Sequence, residues 1–272
     1  MSNPILPNSA PYHIGEDTWL IKNSISIGDG VFLSVNSMLI RGSEPVIVDT
    51  GAPVHREEWF RQVFSLVEPE DVRWIFLSHD DTDHMGNLTE LLDLCPNATL
   101  LTDFFTTDRV SLVEPLPLQR LRWVEAGDSV DIGDRKLNLV LPPIFDGPTT
   151  RGIIDDKTGI FWAVDSFACL TPQDVHAIED VPAEMRDETF RTLNSMVSPW
   201  HQWLNPETYS RHIDSIEKMQ PQALASAHGP VFRGGDITDG FSRIRALAGA
   251  DPSPKPGQSV LDELIEATIG KR

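Results

Sequence analysis

The sequence predicts an α/β protein built in layers, with two β-sheets facing each other and helices packed outside. Three observations carry this expectation. Short apolar runs bounded by turn residues alternate with segments of helical spacing. The strand-helix alternation occurs twice along the chain. No motif recurs at the periods of about 20–50 residues that mark solenoids and propellers, and 272 residues suffice for one large domain or two small ones.

The elements follow in order. Residues 19–21, 31–33 and 37–41 read as short strands. Pro45-Val46-Ile47-Val48-Asp49-Thr50-Gly51 reads as a buried strand ending in a tight turn. Residues 55–67 are helical, with Trp59, Phe60, Val63, Phe64 and Val67 on one side. Arg73-Trp74-Ile75-Phe76-Leu77 is a second apolar strand, running straight toward His79. A helix over 85–94 presents Leu88, Leu91 and Leu92 together. Strands are expected at 100–102, 121–124, 136–141 and 159–164, with Gly127, Gly133, Gly147 and Gly152 in turns. The second half holds helices at 183–196, 206–219 and 238–247, and a short strand at 223–226 before His228. Residues 250–258 are rich in Pro and Gly and read as a linker. Val260, Leu261, Leu264, Ile265 and Ile269 form an apolar stripe on a closing helix over 259–272. The expected organisation is therefore one domain over 1–249, the linker, and that helix.

Composition narrows the function. Lys and Arg number 22 against 41 Asp and Glu, a formal charge of −19. Such a field repels phosphate backbones and anionic lipid, which argues against nucleic-acid and membrane partners. Cys95 and Cys169 alone make neither a disulfide framework nor a CxxC metal site. The opening MSNPILPNSAPYHIG has no basic and apolar signal pattern, and no apolar run approaches the ~20 residues of a spanning helix. A cytoplasmic location is the expectation.

The chemistry concentrates in one loop, His79-Asp80-Asp81-Thr82-Asp83-His84. Two imidazoles and three carboxylates emerge there from the end of an apolar strand, and both are ligand types for Zn, Fe and Mn. In an extended segment His79 and Asp81 point to one side and can share a metal; the chain then turns, and Asp83 and His84 can face a second. The plain alternative is an acidic turn. Against it stand Asp49-Thr50-Gly51, Asp165 after Ala163-Val164, and His228-Gly229-Pro230 after residues 223–226. Each places a polar ligand type at the end of a short apolar stretch.

In this order and spacing, these residues resemble the metallo-β-lactamase superfamily, over roughly residues 15–235. Hydrolytic members carry HxHxDH, whereas this chain has His79-x-Asp81-x-Asp83-His84. A carboxylate at the third position resembles the flavodiiron proteins and oxygen-binding di-iron domains, which have HxExDH. The resemblance implies a four-layer αββα sandwich of the metallo-β-lactamase fold. It implies His79 and Asp81 on one metal, Asp83, His84 and His228 on a second, and Asp165 bridging both. Family members add one more His to the first metal, but this chain has none between His84 and His176. Asp146, in the loop 142–152, is the expected substitute, with Asp155 and Asp156 as alternatives. Asp49 and Asp80 are expected behind the ligands, orienting them or the loop.

Three imidazoles and four carboxylates balance two divalent cations, and this oxygen-rich set favours iron, with manganese and zinc as alternatives. The expected protein binds or activates dioxygen as an oxidoreductase or sensor. The competing classes are a two-metal hydrolase of a small ester, lactone or phosphoester, and a non-catalytic binding domain. No room for a flavodoxin-like domain is read in the chain, so an electron donor would be separate; a homo-oligomer is compatible with the sequence. In Ser198-Pro199-Trp200-His201-Gln202-Trp203, Trp200 and His201 are either a pocket wall or core and surface residues. Arg151 either meets an anionic substrate or pairs on the surface.

Overall fold

The computed structural model describes residues 10–28, 30–172 and 175–269. The first sheet runs β1 (Tyr12–Gly15), β2 (Thr18–Gly28), β3 (Val31–Ile40), β4 (Val46–Val48), β5 (Trp74–Phe76), β6 (Thr99–Thr102) and β7 (Leu121–Trp123), in chain order. It is antiparallel through β4 and parallel from β4 to β7. The second contains β8 (Ser129–Asp131), β9 (Lys136–Val140), β10 (Gly152–Asp155) and β11 (Ile160–Trp162). β12 (Thr171–Pro172) crosses back to pair with β3, and β13 (Ala223–Ala225) and β14 (Phe232–Arg233) complete the second sheet in the order β14-β13-β11-β10-β9-β8.

Alternation along the central strands builds the layers, because successive side chains leave opposite faces of a strand. Val46, Val48 and Phe76 face the second sheet, where Leu139, Ile153, Trp162 and Ala225 meet them. Ile47 and Ile75 face outward, under Trp59, Val63, Leu88 and Leu91 of the first helical layer. Ile154, Phe161 and Leu224 do the same on the other side, under Phe190, Tyr209, Ile213 and Phe241. Strands covered on both faces read as unbroken apolar runs, which is why 46–48 and 160–162 stand out in the sequence. The architecture is the expected αββα sandwich.

Three expectations are corrected. Residues 31–33 and 37–41 belong to one strand, β3. Its polar middle reads as a break but is buried: Asn36 Nδ2 donates to the carbonyls of Ser226 and Gly229 at 2.9 and 3.0 Å. Gly152 opens β10 rather than lying in a turn; a Cβ there would lie 2.8 Å from the Trp162 carbonyl. The helix 85–94 is two helices, Thr82–Met85 and Leu88–Leu94. The break is tied to the Asp49-Thr50-Gly51 turn: Gly86 N donates to Gly51 O at 3.0 Å, and Asn87 Nδ2 to Thr50 O at 2.6 Å. The two backbones approach so closely that a Cβ on Gly86 would sit 2.7 Å from Gly51 O.

The closing helix is Gln258–Ile269, and residues 270–272 lie outside the described residues. Val260, Leu261, Leu264 and Ile265 on it are exposed. Ser253 N ties the preceding segment to Ser195 Oγ at 2.7 Å. No helix among the described residues is long and apolar enough to cross a membrane.

Candidate metal centre

Four strand ends meet at one edge of the sandwich. Asp49 follows β4 and His79 follows β5, both from the first sheet; Asp165 follows β11 and His228 follows β13, both from the second. Asp81 is the last extended residue before the one-turn helix Thr82–Met85, on which Asp83 and His84 lie. The anticipated turn after Asp81 is thus helical, closed by His84 N and Met85 N donating to Asp81 O at 2.9 Å.

Asp165 sits at the middle of the cluster. Its Oδ1 lies 3.1 Å from His84 Nε2 and 3.2 Å from His228 Nε2, and its Oδ2 lies 3.6 Å from His79 Nε2. Asp83 Oδ2 is 3.4 Å from His228 Nε2 and 3.8 Å from His84 Nε2. Asp81 Oδ2 is 3.8 Å from His79 Nε2. Three overlapping sets each bring their donor atoms within 4.8 Å of one another: His79, His84 and Asp165; Asp83, His84 and His228; His79, Asp81 and Asp146.

Asp146 reaches this place because its loop is fastened on both sides. Toward the His79 loop, Arg151 N donates to Ser78 O at 2.8 Å and Thr149 Oγ1 to Asp80 Oδ1 at 2.8 Å. Toward the second sheet, Ile144 N donates to Ser166 Oγ at 2.9 Å and Phe145 N to Ser198 Oγ at 3.0 Å. Asp155 and Asp156, the alternatives, are engaged elsewhere: Asp155 Oδ2 accepts from buried Arg135 at 3.2 Å, and Asp156 Oδ1 from Lys136 N at 2.8 Å.

The donor set fits a pair of metal ions. Buried polar atoms are almost always hydrogen-bonded, yet His79 Nε2 is buried without a hydrogen-bond partner. The far nitrogens are occupied instead: His84 Nδ1 by Asp49 Oδ2 at 3.0 Å, His79 Nδ1 by Ser78 Oγ at 3.0 Å, and His228 Nδ1 by Ser34 O at 2.9 Å. Outer hydrogen bonds of this kind aim the other nitrogen of a metal-binding imidazole.

The profile of the family described as ODP family beta lactamase matches residues 33–229, from β3 through the His228 turn. The chain belongs to this family. Among curated relatives, the "Putative diflavin flavoprotein A 2" of Nostoc sp. is 32% identical over 198 residues, 72% of this chain and 33% of that protein. The "Nitric oxide reductase" of Moorella thermoacetica is 22% identical over 252 residues, 89% of this chain and 61% of that protein. The chain thus spans about a third of the length of the cyanobacterial relatives it matches. Among solved structures, the flavodiiron protein from Giardia intestinalis superposes with a TM-score of 0.75 at 14% identity, over 88% of this chain and 60% of that one.

Electrostatics in this ODP-family cluster follow from packing seven ionisable groups together. Burial opposes charge on His84, but Asp49 and Asp165 outweigh it and raise its pKa well above the usual imidazole range. His228 is raised on the same balance, mainly by Asp165. Burial and the His84 charge lower His79. Burial also works against the Asp165 carboxylate, yet the three imidazoles hold its pKa well below normal. Partial burial and the neighbouring Asp146 carboxylate push Asp81 up to about 7. Carboxylates crowded in this way gain from a cation between them.

The remaining candidates are placed apart from the donors. Asp49 is fully buried behind His84, with Oδ1 accepting from Ser78 N at 2.7 Å and Oδ2 from Trp162 Nε1 at 3.1 Å. Asp80 turns away, accepting from Thr149 and pairing with Arg109 at 3.2 Å. Arg151 does not present its cation to the cluster: Glu125 pairs with it, and Nη1 donates to Pro148 O and Thr150 O at 2.8 Å. His201 is not a pocket wall. It is buried, with Nε2 2.9 Å from Ser195 Oγ and Nδ1 2.8 Å from Leu247 O, so both nitrogens are engaged. Trp200 packs on Phe145, next to Asp146, with ring centroids 5.8 Å apart. Ser78, Trp162 and Ser34 escaped the sequence reading, since a serine before a His or a core Trp carries no signal of its own.

Proposed function

We propose that this chain is a dinuclear iron domain of an oxidoreductase that reduces a diatomic gas, dioxygen or nitric oxide, with electrons from a separate donor. The observation that carries it is the composition of the cluster: three imidazoles and four carboxylates, Asp81 and Asp146 standing where histidines would make a zinc hydrolase site. In this reading His79, Asp81 and Asp146 would hold one ion and Asp83, His84 and His228 the other, with Asp165 between the two sets. The relatives called nitric oxide reductases and the flavodiiron likeness point the same way.

A bound iron pair supplies the ferrous–ferric couple that such a reduction needs. The chain's own residues set its conditions. Anionic carboxylates offset the added charge of the oxidised state and so favour it over neutral donors. Asp49, behind His84, fixes that ring so that Nε2 faces the cluster. Burial of His79, His84 and Asp165 keeps bulk water from three of the donors.

The test is metal analysis of protein purified without added metal, followed by mixing anaerobic ferrous protein with oxygen or nitric oxide. About two irons per chain and a gas-dependent change in the optical spectrum are expected. Zinc at that stoichiometry, with no response to either gas and metal-dependent ester or lactone hydrolysis, would overturn the reading.

A further inference from the structure

We infer that Ser78 is the positioning residue for His79, so that the single buried carboxylate of Asp49 orients both imidazoles of the motif, His84 directly and His79 through the Ser78 hydroxyl. This rests on the reading of the cluster as a metal centre. It concerns which ring nitrogen of His79 carries the proton, which that reading leaves undetermined.

The protons around Asp49 decide the tautomer of His79. A backbone N–H and an indole N–H can only donate. Ser78 N at 2.7 Å therefore makes Oδ1 an acceptor, and Trp162 Nε1 at 3.1 Å makes Oδ2 one. Two further groups approach Oδ2: Ser78 Oγ at 2.8 Å and His84 Nδ1 at 3.0 Å. For both to bond, each must bring a proton. The Ser78 hydroxyl has only one. Once given to Asp49, it leaves only lone pairs on the oxygen, which faces His79 Nδ1 at 3.0 Å and, more distantly, the His84 Nδ1 that already donates to Asp49, at 3.3 Å. His79 must then carry its proton on Nδ1 and its lone pair on Nε2. That is the nitrogen that lies buried without a hydrogen-bond partner, 3.6 Å from Asp165 and 3.8 Å from Asp81.

The competing arrangement turns the hydroxyl proton toward His79 Nδ1 and puts the imidazole proton on Nε2, aimed into the cluster. It exchanges a hydrogen bond to a carboxylate for one to a neutral ring nitrogen. Charge-assisted hydrogen bonds are roughly twice as strong as neutral ones, and the carboxylate is also the nearer partner. The first arrangement wins. Among the described contacts, Ser78 Oγ is the one hydrogen-bond partner of His79 Nδ1, whereas His84 has Asp49 and His228 has the Ser34 carbonyl.

The experiment compares wild type, Ser78→Ala and Ser78→Thr. Imidazole nitrogen NMR of metal-free, histidine-labelled protein reads the tautomers, and chelator competition reads iron affinity. In wild type and Ser78→Thr, His79 is expected protonated at Nδ1. In Ser78→Ala it is expected to shift to Nε2, with His84 and His228 unchanged, and iron affinity to fall about 10–100-fold. The Ser78 N–H to Asp49 survives both substitutions; should Ser78→Ala not fold, Ser78→Cys, whose thiol is a poor partner, takes its place. A folded Ser78→Ala protein whose His79 keeps the wild-type tautomer would overturn the inference, as would Ser78→Thr behaving like Ser78→Ala. A tautomer shift in a protein that binds no iron would support the inference and refute the metal reading.

Discussion

Asp49→Asn is the substitution that most directly tests how the cluster is held. Asp49 is fully buried and accepts four hydrogen bonds: Ser78 N at 2.7 Å, Ser78 Oγ at 2.8 Å, His84 Nδ1 at 3.0 Å and Trp162 Nε1 at 3.1 Å. An amide keeps the shape and one acceptor, which the backbone N–H of Ser78 claims. The NH2 then replaces Oδ2 and meets three donors. The Ser78 hydroxyl can rotate and His84 can move its proton, but the Trp162 indole cannot. One buried donor left unpaired costs about 1–3 kcal/mol, and the lost charge-assisted bond to His84 about 1.5–3 kcal/mol. The sum, roughly 2.5–6 kcal/mol, is a large part of the 5–15 kcal/mol typical of a domain. Denaturant unfolding of metal-free protein, followed by circular dichroism, measures it. Iron affinity should fall about 10–100-fold as well, since His84 would turn a protonated Nε2 toward the metal. A loss below about 1 kcal/mol with unchanged iron affinity would refute the accounting, because any well-paired buried carboxylate costs more than that to neutralise.

Three further outcomes are expected. Asp165→Ala should remove both metals together in elemental analysis, because among the described residues Asp165 alone lies within 3.6 Å of all three imidazoles; loss of one metal with the other at full occupancy would count against a bridge. Asp146→His should move selectivity toward zinc in competitive loading, since imidazole suits that ion better than another carboxylate does; unchanged selectivity would place Asp146 outside the centre. His55 is buried with its pKa lowered by burial, so its folded value lies below the unfolded 6.5. The stability it brings is complete above pH ~6.5 and drains away as pH falls, by up to about 1.4 kcal/mol per unit. His55→Gln should flatten that slope in unfolding series of metal-free protein from pH 7 to 5, and parallel slopes would exclude His55 as the group responsible.

What the sequence discloses here follows from locality. Residues 79–84 pack two imidazoles and three carboxylates after an apolar strand, and Asp165 and His228 each end a strand covered on both faces, so pattern and chemistry coincide. The helix break at Gly86 was hidden because its cause lies 35 residues upstream, in the Thr50 and Gly51 carbonyls that claim Asn87 and Gly86. The place of Asp146 depends on Ser166, Ser198 and Thr149, ordinary polar residues until the fold brings them around one loop. His201 stays open in the sequence for the opposite reason. Its aromatic neighbours look like a pocket, yet the bonds to Ser195 and Leu247 that satisfy it are long-range or unmarked in sequence.

The cluster straddles a seam, with Asp49, His79 and His84 carried by the first sheet and Asp165 and His228 by the second. A chain leaves the ribosome N-terminus first, so the acidic loop and its two imidazoles are made long before the residues that complete their surroundings. Until β11 and β13 have been synthesised and zipped in parallel, Asp81 and Asp83 face water with no Asp165 beside the imidazoles and no His228 opposite. A metal centre built on these seven residues would therefore be completed late in synthesis, because His228 follows the other six in the chain.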